Sequence, residues 1–169
     1  MHRRYYLLIL IHWSWLAFIH CQSGMLDTAF GDEGIVITDI DRSDYISDMV
    51  IQTDQKILVA GNIGGELGIG GLNDIVVIRY LPDGSFDQDF GIGGAMHVYP
   101  GDDFQFFSCG AMALQADGRI VLAGNVSYVS EITFEYVEDI VLVRLNNNGF
   151  IDSTFGNEGI VITDFGGDM

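Results

Sequence analysis

An all-β fold is predicted: tandem four-stranded antiparallel blades forming a partial β-propeller, two blades plus a leading strand. The first observation behind this is a repeated motif. Residues Gly24 to Gly34 share the pattern Gly-x-x-Asp-x-x-Phe-Gly-x-x-Gly with Gly84 to Gly94 and Gly149 to Gly159, at offsets of 60 and then 65 residues. Recurrence at that spacing makes one supersecondary module, used in tandem, the unit of the fold. The second observation is a set of short runs rich in Val, Ile and Leu, bounded by Gly, Asp, Asn or Pro, which read as strands. The third is that no long segment beyond residue 23 keeps a helical period. A sandwich shares short strands and glycine turns, but tandem repetition favours blades packed around a channel.

The elements follow in order. Residues 1–23 read as a secretory signal peptide: Arg3 and Arg4, a largely apolar run from Tyr5 to Ile19, and the polar exit Gln22-Ser23. Cleavage is expected after Ser23, which discards Cys21. Cys21 as a lipid acceptor is the alternative, opposed by the bulky Phe18-Ile19-His20 before it. The apolar run falls short of the roughly 20 residues that a spanning helix needs, so no membrane span is expected in the mature chain. The repeat domain then covers 24–169: a leading motif at 24–40 with its strand over Gly34 to Ile40, repeat one at 41–100 and repeat two at 101–165.

Within repeat one, Met49–Thr53, Ile57–Asn62, Ile75–Leu81 and Ala95–Tyr99 are the expected strands. The run Ile75-Val76-Val77-Ile78 lacks alternation, which implies burial on both faces. Asp48 to Asn62 matches Ala111 to Asn125 at an offset of 63, and Asp74 to Tyr80 matches Asp139 to Leu145 at 65. The two extra residues therefore fall between Ile63–Asn73 and Val126–Glu138, and such length variation marks a surface loop. Asp54-Gln55 and Asp117-Gly118 sit between strands, and Asp-Gly predicts a type I′ hairpin turn at the second site.

Charge and cysteine content narrow the function classes. All 24 acidic residues lie beyond residue 23, and with the leader removed they face five cations, for a net charge of −19. Lys56, Arg42, Arg79, Arg119 and Arg144 cannot build the basic patch that nucleic acid requires. Cys109 is the only cysteine left after processing. A single thiol forms no internal disulfide, and its apolar surroundings predict a small buried hydrophobe.

The stretches Asp54–Gly61, Arg79–Gly84 and Phe86–Gly94, repeated as Asp117–Gly124, Arg144–Gly149 and Ile151–Gly159, resemble the delta-60 repeat of bacterial exported proteins. The departures are Gln55 for the turn glycine and Asn148 for the aspartate before Gly149. What the resemblance implies is a β-propeller-like repeat domain without an established activity. Two blades cannot close a ring, since closed propellers use 4 to 8. The expectation is either further repeats in a longer chain, which we favour, or association of copies.

Several constellations are candidates for chemistry. Asp83, Asp87 and Asp89 place oxygens at alternate positions, as calcium loops do, whereas the equivalent turns around Asp27 and Asp152 carry fewer carboxylates. The simpler expectation is that Asp27, Asp87 and Asp152 bond their own turn backbone. Arg79 and Arg144 are expected in blade-to-blade ion pairs with Asp87 or Asp152, and Phe30, Phe90 and Phe155 as core anchors. The glycine-rich Gly64–Gly71 lacks the Lys-Ser/Thr and helix of a phosphate loop. Ser127–Tyr136 and Asp102–Phe107 are candidates for a recognition surface or for strand extensions. No catalytic, cofactor-binding or metal-binding residue is assigned, and no cofactor is expected.

The function expected is an exported, non-catalytic repeat module presenting loops to protein or glycan at a cell surface. One alternative is a propeller hydrolase or lyase acting on polysaccharide, for which His97 and nearby carboxylates would have to converge. Another is a calcium-stabilised spacer.

Overall fold

The computed structural model describes residues 24–40, 44–64, 74–99, 106–129 and 136–164. The expected leader over residues 1–23, the glycine-rich stretch from 65 onward, residues 102–105 and residues 130–135 lie outside the described residues. Blade one is the meander β1 (Asp44–Ile51), β2 (Ile57–Ile63), β3 (Asp74–Tyr80) and β4 (Ala95–Val98). Blade two repeats it as β5 (Phe106–Leu114), β6 (Ile120–Val129), β7 (Tyr136–Leu145) and β8 (Ile160–Thr163). All pairings are antiparallel. Among the described residues there is no helix, as the sequence predicts.

Side-chain alternation divides each blade into two working faces. From blade one, Leu58, Ala60, Ile75 and Val77 point forward and are fully buried against Ile120, Leu122, Val126, Val141, Val143 and Leu145 on the rear of blade two. The opposite, rear face of blade one carries a smaller cluster of Ile63, Val76, Ile78 and Tyr80. Burial of β3 on both faces is therefore the expected pattern. In β7, by contrast, the forward-facing Ile140 remains 44% exposed.

A bulge in the first strand of each blade explains a repeated glycine. Register slips between Ile46 and Asp48 in β1 and between Cys109 and Ala111 in β5. At each slip the neighbouring strand is pressed close. A Cβ on Gly61 would lie 2.3 Å from the Tyr45 carbonyl oxygen, and one on Gly124 would lie 1.7 Å from that of Ser108. No L side chain fits there, which is why Ala-Gly-Asn recurs at 60–62 and 123–125.

The hairpins differ from the type I′ expectation. Gln55 donates its amide to the Gln52 carbonyl at 2.9 Å and Gln52 to Lys56 at 2.8 Å, with the same bonds from Gly118 to Gln115 and from Gln115 to Arg119. Only Gln55 (φ 68°) and Gly118 (φ 84°) are left-handed. This is the three-residue loop in which a type I turn is followed by one left-handed residue. The Asp54 and Asp117 side chains accept the Lys56 and Arg119 amides instead of adopting positive φ. Relief of a left-handed non-glycine, about 1–2 kcal/mol, outweighs the added unfolded-state entropy of about 0.4–1 kcal/mol. Gln55→Gly is thus expected to stabilise by about 0.5–1 kcal/mol, read as a shift in urea midpoint at unchanged slope.

The leading strand expected over 34–40 is an extended segment that bridges only Asp32 to Ile35. Its counterparts β4 and β8 pair along β3 and β7, and among the described residues no such edge lies beside it. It lies instead across the rear of blade one, with Val36 and Ile40 on the apolar cluster and the Thr38 and Tyr80 hydroxyls 2.7 Å apart. The aromatic loop of repeat two resolves in part into strand: Ser127, Tyr128 and Val129 pair with Glu138, Val137 and Tyr136.

Candidate functional site

The recurring polar residues meet where one blade hands over to the next. The turn after β3 brings Asp87 back beneath Arg79, whose amide and carbonyl pair across it: Asp87 N–H donates to the Arg79 carbonyl at 2.9 Å. Arg79 Nε donates to Asp87 Oδ2 at 2.6 Å, and Lys56 Nζ lies 2.9 Å from the same oxygen. Asp87 Oδ1 accepts the Asp89 amide at 3.2 Å. The Arg79 guanidinium also stands 4.6 Å over the fully buried Phe90 ring.

Asp87 shows how these terms balance. Burial pushes its carboxyl up, but the Lys56 ammonium, the Asp89 amide and the Arg79 guanidinium outweigh it and hold it below the usual carboxylate range. In repeat two the Asp152 carboxyl is held low first by the Thr154 hydroxyl, against some desolvation, and further by the Thr154 amide and Arg144. Arg144 reaches Asp152 at 2.9 Å and Arg119 reaches it at 3.1 Å. Asp27 accepts the Ala29 amide at 3.0 Å. The three motif aspartates thus bond their own turns, as expected.

The ion pairs correct one expectation: each joins residues eight apart within one blade rather than two blades. The blade-to-blade bond of Arg79 goes to a carbonyl, with Nη1 donating to Asn147 O at 2.8 Å. The reason is geometric, because the turn following β3 folds back under its own strand. Phe90-Gly91 docks on the next blade's turn, where Gly91 donates its amide to Asn148 O at 2.7 Å. Gly149 is glycine because a Cβ would touch the Phe90 ring at 2.7 Å and because its φ is +86°. Phe30-Gly31 docks in the same way on blade one, with Gly31 donating to Asp83 O at 2.8 Å.

A second junction carries no motif that marks it in the sequence. Asn62, at the end of β2, clamps the backbone of Cys109 in blade two: its Oδ1 accepts the Cys109 amide at 2.8 Å and its Nδ2 donates to the Cys109 carbonyl at 3.2 Å. Ser47 Oγ donates to that carbonyl at 2.7 Å, and Asp48 Oδ2 accepts the Met112 amide at 2.8 Å. The signal that could have found the clamp is the Gly-Asn pair recurring at Asn125. Cys109 itself is buried, and desolvation pushes its thiol up to about 11, which fits the inert hydrophobe expected.

His97 and its neighbours do not form a recurring centre. His97 is exposed on β4, and its charge partly offsets the desolvation that raises Asp74. At the equivalent place in blade two, Ile162 stands for His97, and Asp139 is raised by burial, then by Asp164, against the Tyr128 hydroxyl. A carboxyl raised in the folded state favours folding only below its unfolded value, and that advantage is lost as pH rises through the folded value. Asp139→Asn is therefore expected to raise the melting temperature at pH 7.5 by relieving a buried charge. The gap should close toward pH 4, as the wild-type carboxyl takes up its proton; parallel melts across that range would check it.

Among the described residues no group of three or more His, Cys, Asp or Glu is placed to hold a metal ion. The middle copy's acidic turn has its buried carboxylate, Asp87, already engaged by two cations. The repeated Arg–Asp pairs thus brace each blade of a β-propeller-type domain, and Arg79 in addition ties blade one to blade two. Residues 52–90 and 115–155 match the family described as a domain of unknown function (DUF5122) beta-propeller. Each match runs from the first hairpin to the motif phenylalanine, so it contains the Arg, Asp and Phe of the joint. No curated protein and no solved structure shows significant similarity to the chain.

Proposed function

We infer that this is an exported, non-catalytic module of delta-60-type repeats that presents loops to a protein or glycan partner at a cell surface. The observation that carries the reading is the engagement of the recurring polar residues in blade construction. In blade one Arg79, Asp87 and Asn62 each have protein partners at hydrogen-bond distance, and a group so engaged offers little to a substrate. What varies between repeats is the connection from second to third strand, Ile63–Asp74 against Val129–Tyr136. Variable loops on a repeated frame are where such scaffolds carry recognition. The basic, then apolar, amino-terminal segment and the acidic remainder support export.

Three experiments test this. A reporter fused behind residues 1–23 should reach the cell exterior, and retention inside would remove the export half. Immobilised protein should capture a glycan or surface protein in a manner abolished by exchanging the Ser130–Glu135 loop for a short Gly-Asn turn. Turnover of acidic polysaccharide by the purified chain would overturn the non-catalytic reading.

A further inference from the structure

We propose that this chain self-associates head to tail, the forward face of blade two in one copy seating on the rear face of blade one in the next. The residues at the two faces carry the argument. Residues 30–39 and 155–164 are identical at nine of ten positions, differing only at Asp32 against Asn157. The first of these segments shows what the rear of blade one accepts: Gly31 on the Asp83 carbonyl, Val36 on the Val76, Ile78 and Tyr80 cluster, and Thr38 on the Tyr80 hydroxyl. The second segment ends blade two with the same side chains. Gly156, Val161 and Thr163 of one copy therefore match the seat that Gly31, Val36 and Thr38 hold on another.

The rest of the interface has its template inside the chain. Asn62 clamps Cys109 at the bulge of β5, and Asn125 is exposed on β6 at the equivalent place, with no partner for its carboxamide among the described residues. The residue equivalent to Cys109 in β1 is Ile46, beside the same kind of bulge. Ile46 is 77% exposed where Cys109 is 4%, and Met49 is 53% exposed where Met112 is 6%. The difference at each position is the blade packed against it. Ile46 thus offers Asn125 of a second copy a backbone amide and carbonyl, while Arg144 Nη1 reaches for a turn carbonyl as Arg79 does.

Seating the arm 155–164 displaces the resident 30–39, so the leading segment acts as a strap competing with association. Such an interface is heterologous and extends into rings or open chains. Sedimentation velocity of the full chain over roughly 1–500 µM should show mass rising with concentration. Asn125→Ala, a change at an exposed residue, should raise the dissociation constant about tenfold, equivalent to about 1.4 kcal/mol. Val161→Asp should weaken association, whereas Val36→Asp, which loosens only the strap, should strengthen it. Melts of each variant confirm folding. A wild type and Val36→Asp variant that both stay monomeric throughout would overturn the proposal. So would association indifferent to Asn125→Ala and Val161→Asp, which marks unspecific adhesion of apolar surface.

Discussion

Arg79→Ala is expected to destabilise the chain by about 3 kcal/mol, the lower end of the 3–5 kcal/mol range for removing one partner of a buried ion pair. The loss has three physical parts. Asp87 remains buried, with Lys56 as its one remaining cation; Asn147 O loses the donor that ties blade one to blade two; and the Phe90 ring loses the guanidinium packed over it. For a chain of this size the shift in melting temperature should be roughly 6–12 °C. Arg144→Ala removes the equivalent residue from blade two. Arg144 is half-buried, its carboxylate partner keeps Arg119, and no turn carbonyl binds it among the described residues, so its loss should be clearly smaller. Equal effects from the two variants would contradict the reading of Arg79 as an inter-blade residue.

The acid limb gives an independent check on the same site. Asp87 is held below the ordinary carboxylate value, so its contribution is complete above that value and is lost as pH falls through the lowered one. Arg79→Ala should flatten that limb as well as lower it. Between pH 7 and pH 8 the wild-type and variant melts should run parallel, because Asp87 stays ionised in both states.

The strands were legible because apolar runs of strand length between Gly, Asp and Pro have few other readings, and the repeat multiplied the signal. Ile57–Ile63 and Asp74–Tyr80 fall within a residue of their expected limits. The turns that lead into β2 and β6 were less legible: Asp117-Gly118 suits a two-residue loop, and only the backbone shows that one left-handed residue suffices. The leading segment has strand composition, but a strand also needs an edge to pair with, and composition carries no information about that. The direction of the Arg–Asp pair was missed for a related reason. An offset of eight residues is compatible with a partner in the same blade or the next, and the fold-back of Asp87 onto the Arg79 carbonyl decides it. The Asn62 clamp was hidden because a strand-end asparagine ordinarily reads as turn chemistry. Its recurrence beside a glycine forced by the bulge was the legible trace.

Phe90→Ala should cost about 3–5 kcal/mol, the range for emptying a fully buried aromatic site. The ring is enclosed by Arg79 above and by Gly149 of the next blade beside it, where even one added carbon would sit at 2.7 Å. The cavity would therefore open at the joint rather than inside one sheet, and neither the Gly149 turn nor the Arg79 stem can fill it. Phe155, the equivalent residue, is only half-buried beneath Arg144, so Phe155→Ala loses less buried area and leaves no comparable void. The form of the transition should change too. In the wild type the shared core joins residues of both blades, which favours a single cooperative unfolding step. With the joint emptied, the Leu58–Leu122 layer and the Asn62 clamp still couple the blades, but the outer end does not. Fluorescence and far-ultraviolet dichroism should then give midpoints that no longer coincide, whereas Phe155→Ala should lower both together.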